Sequence, residues 1–403
     1  MTMARICRVA LLHAYSRRNA GDGLLVDLSV RMIREALGQH CQITLVASDP
    51  ASFGDMDHVL PAPVIARQGW HRVWACGLAL VAIPTAETRR LARVLDSADV
   101  IVGVGGGYLR ARNTWQALKL QAGHLVQLRA AVASGRPAIY LPQSIGPVVA
   151  GPGGASSSLG DGLARQLGTL ARVYVRDHRS LAWLDGRANV RRAPDLAVLE
   201  LGHRLGGAVA SAEAAQSRQH PVRNVCMVLR EAPAWHPDRR EHYRLMLHRL
   251  IERLRGECRV SFAVQSAVRG NDDTAFYRAL GLTPHGLLRD VLRDDRPDAV
   301  VSVRLHGALE SVLAGVPAYH LSYERKGFGA YEDLGLTDWV SNAADFQASD
   351  VLDTVLAPGA VVSFHAGLQA RAATLRAQRQ EIVATLRGTW PYGPASPMDV
   401  RCC

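Results

Sequence analysis

Arg304 and His306 are the residues whose types and spacing point most directly to chemistry. They follow a short β-branched run, Ala299, Val300, Val301 and Val303, which reads as a buried strand of a parallel sheet. In extended backbone, residues two apart project to the same side, so guanidinium and imidazole are expected to face one space. Arg offers a fixed charged fork suited to carboxylate or phosphate. A His at a helix start has its cation disfavoured by the dipole and restored by a bound anion. The chemistry expected is capture of an anionic substrate that also exchanges a proton. A surface Arg beside a capping His is the plainer alternative, and spacing alone leaves both open.

The elements around the pair place it. After Arg304 a helical pattern with Leu309, Val312 and Leu313 on one face closes at Gly315, before Pro317. A second strand over 318–322 leads to Tyr323 and Lys326, the latter either a phosphate-neutralising cation or a solvated surface Lys. This strand–helix–strand unit sets Arg304 and His306 at the carboxyl end of a strand, where open α/β sheets bind ligands.

The earlier half of the chain repeats that arrangement. A strand over 6–12 runs into a loop holding Asn19, Gly21 and Asp22, then a helix over about 24–37. Asp22 is a candidate proton acceptor and equally a candidate helix N-cap. The loop's spacing does not fit GxGxxG, so a dinucleotide reading fails. A strand over 100–104 ends in Gly105, Gly106 and Gly107, which permit close backbone approach to a ligand and positive φ. A long helix over 114–134 precedes a strand over 138–141, and residues 142–147, with Ser144, read as a polar turn. Arg176 ends a further strand, with Asp177 a candidate N-cap behind it.

Composition narrows the class. Of 403 residues, 48% are hydrophobic and 21% charged, ordinary globular values that allow two or three domains. A net charge of +11, nearly all from Arg since Lys119 and Lys326 are the only lysines, suits a phosphorylated metabolite or an anionic membrane surface. No basic tract interleaved with aromatics is present, so nucleic acid is not expected as a partner. None of the seven cysteines makes a CxxC; the first five, scattered singly, read as free thiols of a reducing compartment, and no signal peptide is seen. The apolar run 73–84 is too short to span a bilayer; it reads as a buried helix or an interfacial segment. The Gly/Ser-rich segment 148–162 reads as a lid or as filler beside the cleft.

Taken together, Asn19-Ala-Gly21-Asp22, Gly105–Gly107, Gln143–Pro147, Val175-Arg176-Asp177 with Ser180, and the stretch from Arg304 to Lys326 resemble the polysaccharide pyruvyl transferase family. The resemblance runs from about residue 8 to 336. It implies an α/β fold of two Rossmann-like halves facing a cleft, like GT-B glycosyltransferases. It also implies transfer of the enolpyruvyl group of phosphoenolpyruvate to a sugar of a cell-surface or exopolysaccharide precursor, giving a pyruvate ketal. Arg304, His306 and Arg176 map onto family positions associated with phosphoenolpyruvate. The Asp-Pro expected after the VRDxxS helix stands here as Pro194-Asp195, which leaves the role of Asp195 open.

The expected division is an N-terminal half over 1–205, a linker over 206–222, a C-terminal half over 223–348 and a C-terminal helix and tail over 349–403. His306 is expected as general acid and Asp22 as proton acceptor. Arg304, Arg176, Lys326, Gly105, Gly106, Gly107 and Ser144 are expected to contact substrate. The chemistry calls for no metal or other cofactor, with phosphoenolpyruvate as donor and a saccharide, lipid-linked in one version, as acceptor. Such a protein is expected in the cytoplasm, in peripheral contact with the inner membrane face. Two rivals stand: a glycosyltransferase of the same fold, in which Glu310 contacts a nucleotide ribose, and a non-catalytic envelope-assembly protein.

Overall fold

The computed structural model describes residues 5–64, 77, 84–148, 158–207, 221–231, 235–267 and 272–390. The chain divides into two compact units: Met1–Arg17, Asp22–Leu196 and Gln380–Cys403 in one, Arg18–Gly21 and Ala197–Arg379 in the other.

The first unit is built on a sheet of β1 (Arg8–Ala14), β2 (Gln42–Ala47), β3 (His58–Pro61), β4 (Val100–Gly103), β5 (Gly106–Ala111), β6 (Ala138–Val148), β7 (Arg172–Val175) and β8 (Val190–Arg192). Its order is β3-β2-β1-β4-β6-β7-β8, with β5 on β6, and every pairing is parallel. Six of the seven β1 residues are buried, as a strand covered on both faces requires. Helices Ala86–Ser97, His124–Ala133 and Ser158–Gly168 supply Leu91, Leu95, Leu125, Leu128, Leu163 and Leu167 to a core with Ile101, Tyr140 and Val173. Strand order reverses direction between β1 and β4, which makes their carboxyl ends the topological switch point.

The second unit holds β9 (Asn224–Val228), β10 (Arg259–Phe262), β11 (Ala299–Ser302), β12 (Ala318–Ser322) and β13 (Val340–Asn342), in the order β10-β9-β11-β12-β13 and again parallel. Its switch point lies between β9 and β11. Residues 229–230 and 303–306, just past those two strands, are therefore where this unit is built to meet a ligand.

Several sequence expectations need correction. Residues 142–147 are no turn: β6 continues through them, because Gln143 pairs with Gly106 on one side and Val175 on the other. Sheet pairing overrides local turn chemistry there. The helix expected over 114–134 is two, Thr114–Ala122 and His124–Ala133, parted at Gly123. The first helix starts at Ala20, so Asp22 sits inside its first turn and is not its N-cap. Asp177 does cap its helix, accepting from the Ser180 amide. Most of 73–84, 148–162 and the linker 206–222 lies outside the described residues.

Among the described residues no single helix is long and apolar enough to cross a membrane. The bent pair Ala348–Val355 and Ala360–Gly388 has the composition, but Val351, Leu352, Val355, Phe364 and Leu368 are buried.

His320 on β12 is 2% exposed, and its Nδ1 lies 2.8 Å from the Ser302 carbonyl. A carbonyl only accepts, so Nδ1 carries a proton. Burial lowers its pKa from 6.5 to about 4, the Ser302 bond opposing and nearby Lys326 and His306 adding to the shift. As pH falls, the unfolded chain takes up the proton first. The stability this group contributes is complete above about pH 6.5 and is lost on acidification towards pH 4, by roughly 3 kcal/mol. His320→Asn should give a shallower fall in melting temperature over that window than wild type. An equally steep fall would show that His320 is not a source of the acid sensitivity.

Candidate functional site

In the second unit the switch point gathers a cationic edge. Arg304 is the N-cap residue of helix Leu305–Leu313, with φ −92° and ψ 120°, and His306 is the second residue of that helix. The extended two-residue register expected for the pair is thus broken, since β11 already ends at Ser302. Arg304 is buried, and its Nε and Nη2 donate to the two carboxylate oxygens of Asp273, the Nε bond being 3.0 Å. Burial pushes the Asp273 carboxyl up, and the guanidinium pulls it back.

His306 is half-buried and backed by Gly21: a Cβ at position 21 would fall 2.7 Å from the imidazole Nδ1. Gly21 is held there by its own neighbours, since Asn19 bridges Ser266 and the Ala20 amide reaches the Gln265 carbonyl at 3.4 Å. One turn along the helix, Glu310 accepts from Gln265 Nε2 at 3.0 Å. Burial raises the Glu310 pKa, opposed by Gln265, Arg289 and His306. Glu310 stands four residues on from His306, on the same helix face. Past β12, Lys326 pairs with Glu324 at 3.4 Å, and both Lys326 and His306 act on His320. Past β9, Arg230 donates to the Tyr323 hydroxyl at 2.7 Å. The edge can bind an anion and hold a proton donor against it.

The first unit presents a second guanidinium. Arg176, 5% exposed past β7, pairs through Nη1 with Asp195 and donates from Nε to Ser144 Oγ at 3.0 Å. Gly107 lies against it; a Cβ there would approach Nη2 to 3.3 Å. Of the other two glycines only Gly106 has positive φ, at 152°, and Gly105 is packed against the Pro142 carbonyl and Leu196. A concavity of about 870 Å³ opens near Arg8, Gln42 and Asp99, at the opposite, amino edge of the same sheet. None of the groups above lines it.

A family model described as polysaccharide pyruvyl transferase matches residues 19–325, which span both switch points. The chain belongs to the polysaccharide pyruvyl transferase family. It is accordingly a transferase. No curated protein matches it. Among solved structures it resembles a trehalose-6-phosphate synthase, OtsA, at 14% identity and TM-score 0.54, covering 94% of this chain and 99% of that one. A UDP-GlcNAc 2-epimerase from Neisseria meningitidis bound to UDP-GlcNAc aligns at 11% identity and TM-score 0.52, covering 94% and 99%. MnaA of S. aureus, in a co-structure with UDP, aligns at 10% identity and TM-score 0.53, covering 97% and 100%. These likenesses establish the fold class, two parallel sheets with helices as in GT-B glycosyltransferases and epimerases.

For a pyruvyl transferase of this family, the structure gathers Arg304, His306 and Lys326 in the second unit, and Arg176, Ser144 and Gly107 in the first. Asp22, half-buried in its helix, belongs to the first unit. Ser144 Oγ accepts from Arg176 Nε and so orients that guanidinium. Sequence reasoning missed Asp273, Glu310 as partner of His306, and Gly21 as its backing. Glu310 was legible, standing four residues after His306 on one helix. Asp273 carried no local signal, since it is 31 positions from Arg304.

Removing one partner of a buried ion pair leaves the other charged and uncompensated, at about 3–5 kcal/mol. Asp273→Ala should therefore destabilise the protein by that order in denaturant unfolding. The double variant Asp273→Ala/Arg304→Met should recover most of the loss. A single variant as stable as wild type would mean the pair does not organise this edge.

Proposed function

We propose that this protein moves the enolpyruvyl group of phosphoenolpyruvate onto two hydroxyls of a saccharide, forming a pyruvate ketal. The observation that carries the reading is His306, packed against Gly21 and electrostatically coupled to Glu310, two residues after the oriented guanidinium of Arg304 on a family-matched switch-point edge. Phosphoenolpyruvate carries a carboxylate and a phosphate, and charged donors fixed in place stabilise both as charge shifts. Arg304 and Lys326 of the second unit are assigned to that anion.

His306 gives a proton to the methylene carbon, which becomes a methyl group and leaves the neighbouring carbon electrophilic. One sugar hydroxyl adds to that carbon and loses its proton to a base. The second hydroxyl displaces phosphate, and its proton leaves with the phosphate. The net products are ketal and inorganic phosphate, with no oxidant or reductant consumed. Glu310 supports this reading over a ribose contact, because its carboxylate is occupied by Gln265 and faces His306.

The acceptor is assigned to a cell-surface or exopolysaccharide precursor. Contact with an anionic membrane is supported by Trp115, 64% exposed, and exposed Leu118 on a helix where Lys119 stacks on the Trp115 ring.

Saccharide-dependent phosphate release from phosphoenolpyruvate, with a product heavier than the acceptor by pyruvate less water, tests the proposal. His306→Ala should abolish release while phosphoenolpyruvate still raises the melting temperature. Gly21→Ala, which forces the imidazole aside, should lower turnover roughly 100-fold without unfolding the protein. Stabilisation by nucleotide sugars alone, with no phosphate release, would favour the glycosyltransferase rival.

A further inference from the structure

The first unit's switch point holds a second polar group that the donor chemistry does not use. His13, near the end of β1, is 2% exposed and adopts φ 69°, a left-handed conformation costly for a non-glycine residue. Its backbone amide donates to Gln127 Oε1 at 2.9 Å. Its Nε2 lies 2.8 Å from the Tyr140 hydroxyl, and its Nδ1 lies 3.3 Å from Nδ1 of His124. Both imidazoles lie on the Tyr108 ring, at centroid separations of 4.6 and 4.8 Å. Gln143, fully buried, approaches the Tyr108 phenol, yet neither of its amide atoms reaches hydrogen-bond geometry with any described residue.

The proton positions in this chain follow from its closed end. Among the described residues the buried Tyr140 hydroxyl reaches His13 Nε2 alone, so its single proton is assigned there. His13 must then carry its own proton on Nδ1 and donate it to His124 Nδ1. His124 is left with its proton on Nε2. Burial keeps both rings neutral, with His124 lowered to about 4, and raises Tyr140 above the usual phenol range. Burial disfavours a tyrosinate at the closed end, so Tyr140 is not set up to pass its proton outward. His124 is fixed as a neutral donor rather than an acid.

We propose that His124 Nε2–H, on a ring that is only partly buried, reads a hydroxyl oxygen of the acceptor saccharide at the carboxyl edge of β1, β4 and β6. Neutral donors and acceptors beside aromatic rings suit a polyhydroxyl ligand and offer nothing to an anion. Tyr140 and His13 are positioning residues that set the His124 tautomer. This rests on the saccharide acceptor of the proposed function.

The test combines two readouts. Histidine ¹⁵N shifts at pH 7 should show His13 as the Nδ1–H tautomer and His124 as Nε2–H, with Tyr140→Phe releasing that bias. With methyl hexosides and N-acetylhexosaminides as probes, His124→Phe keeps the ring but removes the donor. It should raise the saccharide KM about tenfold, as one neutral hydrogen bond implies, while leaving the thermal shift with phosphoenolpyruvate unchanged. His13→Asn, whose side chain tolerates φ 69°, should do the same if the tautomer matters. His124 found as Nδ1–H, or a saccharide KM unmoved by His124→Phe, would overturn the assignment. If wild type releases no phosphate with any probe, the pyruvyl-transfer reading fails, and the ¹⁵N shifts still decide whether His124 is a fixed donor.

Discussion

The buried fork between Arg304 and Asp273 is the constraint on which the second unit's edge depends. A guanidinium taken out of water requires a carboxylate with matched geometry, and Asp273 provides both oxygens. The consequence for function is directional. A free Arg would bind an anion through charge alone and with a mobile side chain. A paired one offers less net charge but a donor whose plane is already set, which suits a reaction where positions count. The first unit repeats the device with Arg176 and Asp195, adding Ser144 on Nε.

Two residues after Arg304, His306 stands in the first turn of its helix, packed against Gly21 and one turn before Glu310. In the proposed mechanism it is this ring that gives its proton to carbon.

Much of this was legible in the sequence. β-branched runs marked the strands before Arg304 and Arg176, and the helix stop at Gly315, φ 80°, fell where the Gly-x-Pro pattern placed it. The order of short motifs pointed to the family. What failed did so for tertiary reasons. Residues 142–147 have turn composition, yet two neighbouring strands capture them into β6. Arg304 and His306 carry no sign in sequence that the strand ends two residues early and a helix begins. Asp273 and the His13–His124 contact join positions far apart in the chain, which no local pattern encodes.

In the proposed mechanism a proton from His306 reaches the methylene carbon of phosphoenolpyruvate as a saccharide hydroxyl attacks its neighbour. Running the reaction in deuterated water and reading the product methyl group by NMR tests it directly. One solvent deuterium in that methyl group of the ketal, and no ketal from His306→Gln, is the result this account predicts. A ketal whose methyl group carries no solvent deuterium, or full turnover by His306→Gln, would contradict it.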